Sequence, residues 1–169
     1  ATADVLSADG WLNTGDIARI DARGRVYITG RLKEIIVLSN GEKVSPIDVE
    51  AAIVRDSLIE QVMLLGEGKP FLGAILVLNA DQWKKLCRER EFDSESPEAV
   101  RTKAVEEILL ARIGTQMKSF PGYAQVRRVT ASLEHWTVEN GILTPTMKVK
   151  RAKVMEKFNA EVDAMYAGH

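Results

Sequence analysis

Apolar residues along this chain change their period several times, and each change marks an element. Residues 17–29, IARIDARGRVYIT, alternate about Asp21-Ala22-Arg23-Gly24, which predicts a hairpin with glycine at the left-handed position of its loop. Residues 34–38 and 42–45 predict a second hairpin around Ser39-Asn40-Gly41, where Asn-Gly would supply the positive φ angles of a type I′ turn. In SPIDVEAAIVRD, Ser45 reads as a helix N-cap, Pro46 as the first helical residue and Asp48 as part of a variant capping box. Ile47, Ala51 and Val54 would give that helix its apolar face. IEQVMLLGEGKPFLGAILVLN is two apolar segments about a Gly/Pro turn, an antiparallel pair at the centre of a sheet. Asn79 with Gln82 opens a helix carrying Trp83, Leu86 and Cys87. Ser96-Pro97 opens a longer one with Val100, Ala104, Ile108 and Met117 near one stripe. VRRVTAS is one more strand, and a last helix from Arg151 to Tyr166 places Val154, Phe158, Val162 and Met165 on one face. EFDSESPE is the one segment that reads as a floppy loop. The fold class is α+β, a small antiparallel or mixed sheet packed with helices and preceded by a β-hairpin.

Composition narrows the partners. At 169 residues there is room for one domain, or a domain with a piece of another. With 23 Lys and Arg against 24 Asp and Glu, nothing draws the chain as a whole to nucleic acid or an anionic membrane. A single cysteine, Cys87, forbids an internal disulfide and suits a reducing compartment. The apolar runs are too short to span a bilayer. The opening ATADVLSADGWLNTGD has neither a starting Met nor the regions of a signal peptide, and is expected to continue a longer chain.

Three stretches stand out: NTGD at 13–16, GRLKE at 30–34 and LTPTMKVKR at 143–151. Together and in this order, with Val44-Ser45-Pro46 starting a helix after the second, they resemble the adenylate-forming superfamily: acyl-CoA ligases, firefly-type luciferases and peptide-synthetase adenylation domains. The Thr-Pro-Thr-x-Lys-x-Lys-Arg form, its lead-in at 138–141 and the helical stretch from 80 to 118 look most like long-chain fatty acid–CoA ligases. The resemblance covers nearly the whole chain. It implies that residues 1–33 end a large adenylation domain and that 34–169 form the small mobile C-terminal domain.

The resemblance also assigns roles. Asp16 matches the carboxylate that accepts hydrogen bonds from the ATP ribose hydroxyls, a task for an acceptor-only group; alone it reads equally as a turn residue. Arg31 matches the arginine that approaches ribose or phosphate with a fork suited to oxygen ligands, against the plainer reading of a surface strand residue. Lys33 matches the hinge about which the small domain swings. A hinge side chain must stay solvated in two orientations, which a charged residue does; the alternative is an edge-strand lysine that guards against aggregation. Lys148 matches the catalytic lysine that reaches the α-phosphate during adenylation, where negative charge gathers. Most relatives have Ser-Gly-Lys there, whereas this chain has Thr146-Met147-Lys148 and so lacks the glycine. Gly41 matches a loop lining the pantetheine tunnel, and is also simply a good turn residue. Lys150, Lys153 and Lys157 read as a solvated face, and Arg151 as a salt bridge across the domain interface.

The implied parent uses ATP, Mg2+ and CoA on fatty acids, with its own large N-terminal domain as partner. No metal ligand set and no nucleic-acid partner are expected in this chain. A cytoplasmic setting follows, with room for peripheral membrane association of the parent. Lacking a phosphate loop, adenine pocket and acyl tunnel, the chain by itself is expected not to catalyse. Two readings compete: a fatty acyl-AMP ligase that loads a carrier protein, and a stand-alone interaction module using the basic 148–157 helix. His135, His169 and Cys87 read as structural, and Trp11, Trp83 and Trp136 as core or domain-interface residues.

Overall fold

The computed structural model describes residues 5–96 and 98–168. Two hairpins come first: β1 (Asp16–Ile20) with β2 (Val26–Arg31), then β3 (Ile36–Val37) with β4 (Lys43–Val44). Helix α1 (Pro46–Ile53) leads into the main sheet of β5 (Ile59–Leu65), β6 (Leu72–Leu78) and β7 (Val126–Ser132). Between β6 and β7 lie α2 (Ala80–Arg90) and α3 (Lys103–Gln116), and the chain closes with α4 (Arg151–Lys157) and α5 (Asn159–Tyr166). The main sheet is mixed, with β5 antiparallel and β7 parallel to β6. The α+β expectation holds. In the apolar pair only β6 is central; β5 is an edge.

Every residue of β6 is buried, because helices cover both faces of the sheet. Leu72, Ala74, Leu76 and Leu78 point to the side of α1, α2 and α3, where they meet Ile53, Trp83 and Leu109. Ile75 and Val77 point the other way, onto Trp136, Phe158, Val162 and Met165. This is the period-2 alternation of a strand sandwiched between two apolar layers. Asn79 caps α2 as its sequence implies, accepting from the Gln82 N–H at 3.1 Å.

Several local expectations are corrected. Helix α1 buries Pro46, Val49, Ala52 and Ile53, while Ile47, Ala51 and Val54 face outward. Both stripes satisfy helical spacing, and the one carrying Val49 and Ile53 packs on the sheet. Ser45 is the N-cap by position, but its hydroxyl caps nothing and donates instead to the Thr29 carbonyl at 3.0 Å. Helix α3 is capped by Thr102, after a single 3-10 turn at Ala99–Arg101; Pro97 lies outside the described residues. Its buried stripe is Val105, Leu109 and Ile113, continued by Val100 and Met117, with Ala104 exposed and Ile108 only half-buried. The last helix is two, broken at Phe158 (φ −108°, ψ 23°), although Val154, Phe158, Val162 and Met165 are all buried as expected. The apolar stripe runs unbroken through the bend, so periodicity carries no sign of it.

The Ser39-Asn40-Gly41 turn is not type I′, since Gly41 has positive φ (+85°) and Asn40 does not. The Gly41 N–H donates to the Leu38 carbonyl and the Leu38 N–H to the Glu42 carbonyl, both at 2.9 Å. That is the three-residue hairpin loop with a left-handed residue in the bulge.

Candidate functional site

Asp16 and Arg31 are register partners across β1 and β2, and Arg31 Nε lies 3.0 Å from Asp16 Oδ1. The NTGD and GRLKE stretches, separate in sequence, therefore form one site at the end of a hairpin. The loop before Asp16 is held by its own side chains, with the Gly15 N–H donating to Asn13 Oδ1 and the Asp16 N–H to Thr14 Oγ1. A carboxylate has acceptor capacity beyond one guanidinium contact, so the pair can still take a vicinal diol.

Past Arg31 the strand ends in a 3-10 turn, Leu32–Glu34, with no buried residue. Lys33 sits in this turn, exposed. It is not on a strand, so the edge-strand reading of Lys33 does not apply. One bond anchors the start of the turn and another spans it. The Leu32 N–H donates to the Gly15 carbonyl at 2.8 Å, and the Ser45 hydroxyl reaches back to Thr29. Beside the turn opens a cavity of about 400 Å³, bounded by Lys33 and Ile36, by Leu65 of β5 and by Arg151 and Tyr166.

Arg151 points inward. Its guanidinium binds Glu50 Oε1 at 3.0 Å and the Leu64 carbonyl, while the same Glu50 oxygen accepts the Leu64 N–H at 2.8 Å. This ties α4 to α1 and β5 within one domain, which corrects the expectation of a bridge across a domain interface. Lys153 and Lys157 pair with Glu156 and Glu134 near the surface.

Lys148 is exposed on the loop before α4. The loop is pinned by Leu143 and Val149, which form an isolated antiparallel bridge. Inside it the Thr144 N–H donates to the Lys148 carbonyl at 2.8 Å and the Lys148 N–H to Thr144 Oγ1 at 3.0 Å. Met147 takes a left-handed backbone, φ +61°, the conformation that the missing glycine would adopt without strain. Such a backbone costs a side-chain-bearing residue about 1–2 kcal/mol. The sequence marked this position by its lack of glycine, but not the strain.

No hydrogen bond or ion pair joins Lys148 or Gly41 to the Asp16–Arg31 pair among the described residues. Gly41 stands open at its hairpin tip, where an added Cβ would meet nothing within 4 Å. Cys87 is buried, and desolvation followed by the charge of Asp93 pushes its thiol pKa up. His135 lies at the surface, 3.7 Å from Glu60; His169 is outside the described residues. Trp83 and Trp136 are buried, whereas Trp11 is 76% exposed. The Tyr166 hydroxyl donates to the Phe71 carbonyl, and desolvation pushes its pKa up to about 12.

The chain is similar to known proteins along nearly its whole length. Residues 33–169 match the family described as AMP-binding enzyme C-terminal domain. The chain is 38% identical over 172 residues to long-chain-fatty-acid–CoA ligase 1 of Cavia porcellus, covering 98% of this chain and 24% of the relative. It is 35% identical over 176 residues to a chloroplastic long-chain-fatty-acid–[acyl-carrier-protein] ligase of Arabidopsis thaliana, AEE15, covering 98% and 23%. The chain thus spans about a quarter of the length of the curated relatives it matches. Among solved structures, the A domain of a carboxylic acid reductase from Segniliparus rugosus, in complex with AMP and a co-purified carboxylic acid, superposes with a TM-score of 0.83 at 26% identity, over 98% of this chain and 25% of that one.

Proposed function

The chain belongs to the AMP-binding enzyme C-terminal domain family, in the adenylate-forming superfamily, and from that membership we propose that it is the mobile small domain, with the last hairpin of the large one, of a long-chain fatty acid–CoA ligase. The observation that carries the reading is the Asp16–Arg31 pair set directly before the exposed Lys33 turn. In this reading Asp16 accepts from the ribose hydroxyls of ATP and Arg31 holds it while offering further N–H donors to phosphate oxygens.

Residues 1–33 then end the large domain, and 34–169 swing about Lys33. In one orientation Lys148 brings its ammonium to the α-phosphate as the fatty carboxylate attacks, and pyrophosphate leaves. In the other, Gly41 lines the path by which a thiol reaches the acyl-AMP and displaces AMP. Preorganised charge at the attacked phosphate is the dominant contribution of such a lysine. Among the described residues no cluster of His, Cys, Asp or Glu could hold a metal ion. Magnesium would arrive with ATP. By itself the chain would not catalyse.

A second reading is favoured by the carrier-protein ligase among the relatives: the thiol acceptor would be phosphopantetheine on a carrier protein. The full-length ligase carrying this domain decides. With fatty acid and ATP it should release pyrophosphate, and with CoA it should yield acyl-CoA. Acyl transfer to a carrier protein alone would select the second reading. Failure to release pyrophosphate with any fatty acid would overturn both.

A further inference from the structure

Four hairpin loops of this chain share one backbone plan. In each, the N–H of the fourth residue donates to the carbonyl of the first, and the N–H of the first donates to the carbonyl of the fifth. They run from Ser7 to Trp11, Asp21 to Arg25, Leu38 to Glu42 and Thr144 to Lys148. The fourth residue is left-handed in all of them: Gly10 at φ +88°, Gly24 at +78°, Gly41 at +85°, and Met147 at +61°. Only the loop that ends in Lys148 places a side chain at the strained position.

Among the described residues no core packing accounts for that side chain. Met147 is 67% exposed and belongs to neither core cluster. Glycine serves the same turn three times elsewhere in this chain, and asparagine adopts left-handed φ more readily than methionine. The turn therefore has no need of methionine. What distinguishes this loop from the other three is that the next residue is Lys148.

We propose that Met147 is a positioning residue for Lys148: in the adenylating orientation its thioether side chain seats on an apolar wall of the large domain, fixing the loop so that the ammonium meets the α-phosphate. The inference rests on the role given to Lys148 above. The occupant is the remainder of the same enzyme, because the relatives are about four times as long as the stretch this chain matches. An unbranched, polarizable side chain suits an irregular apolar seat. Its burial is gained only when the domain closes, so the contact favours that orientation without binding substrate.

The test compares Met147→Gly, Met147→Asn, Met147→Leu and Lys148→Ala in the full-length ligase. Readouts are kcat and KM for acyl-AMP formation, the rate of thioester formation from supplied acyl-AMP, and the melting temperature. Met147→Gly and Met147→Asn should melt no lower than the parent, yet lose roughly tenfold in kcat of acyl-AMP formation, since small misplacements of a catalytic group carry penalties of that order or more. Thioester formation should be unchanged, and Met147→Leu should keep near-parental kcat. Parental acyl-AMP formation in the Gly or Asn variant overturns the inference, as does a Leu variant that falls as far as Gly. A loss confined to KM for the fatty acid would seat the side chain on the acyl chain instead, which also overturns it. If Lys148→Ala itself leaves acyl-AMP formation intact, the underlying reading of Lys148 fails, separately from anything found at Met147.

Discussion

The Ser45 hydroxyl donates to the Thr29 carbonyl at 3.0 Å, joining the start of α1 to the strand that precedes the Lys33 turn. A swing about Lys33 would have to break this bond, because its two ends lie on opposite sides of the turn. On the proposed hinge reading it would latch the orientation described here.

Ser45→Ala should therefore weaken that orientation by about 1 kcal/mol, the usual net worth of one such hydrogen bond. In the full-length ligase the ratio of the two half-reaction rates should shift several-fold, while the domain still folds. Measuring acyl-AMP formation and thioester formation separately checks this. An unchanged ratio would mean that the bond plays no part in domain orientation.

Lys33→Pro should hold the orientation seen here. A 3-10 turn has φ of about −50° to −70°, which the pyrrolidine ring matches. One half-reaction should fall steeply, the other should be largely kept, and the melting temperature should hardly move. Lys33→Ala should be mild, since alanine reaches both backbone wells. Retention of both half-reactions in the Pro variant would retire Lys33 as the hinge.

Tyr166 predicts an alkaline limit to stability. Burial raises its pKa from the ordinary 10 to about 12 in the folded state. The folded protein keeps the phenolic proton that the unfolded chain loses first, so the contribution is fully present below pH 10 and is lost as pH rises through 12. Denaturation midpoints followed from pH 9 upward should drop, and Tyr166→Phe should flatten the drop. A parallel decline in both proteins would place the alkaline sensitivity elsewhere.

The parts legible in the sequence are those fixed by one local rule. Asn79 before Gln82 gave a cap that forms, VRRVTAS gave β7 at its full length, and Val154, Phe158, Val162 and Met165 gave a buried face. What escaped is what two rules describe equally well. Helix α1 has two apolar stripes at helical spacing, and only the sheet beneath it chooses Val49 and Ile53 over Ile47 and Val54. Ser45 can cap or can reach across, and the nearby Thr29 carbonyl decides. At the site, the motifs named Asp16 and Arg31 one at a time, but the register of β1 on β2 makes them a pair. The inward turn of Arg151 depends on Glu50, more than a hundred residues earlier along the chain, and no local pattern reports it.

In the proposed reading Lys148 serves one orientation only, and its alanine variant separates the two half-reactions. In the full-length ligase, Lys148→Ala should slow acyl-AMP formation by roughly 10²–10³, the cost of removing one preorganised stabiliser of transition-state charge. Thioester formation from supplied acyl-AMP should stay within about twofold of the parent, since the lysine is then away from the reacting phosphate. Equal losses in both half-reactions would contradict the account, leaving Lys148 a part of the fold and not of the chemistry.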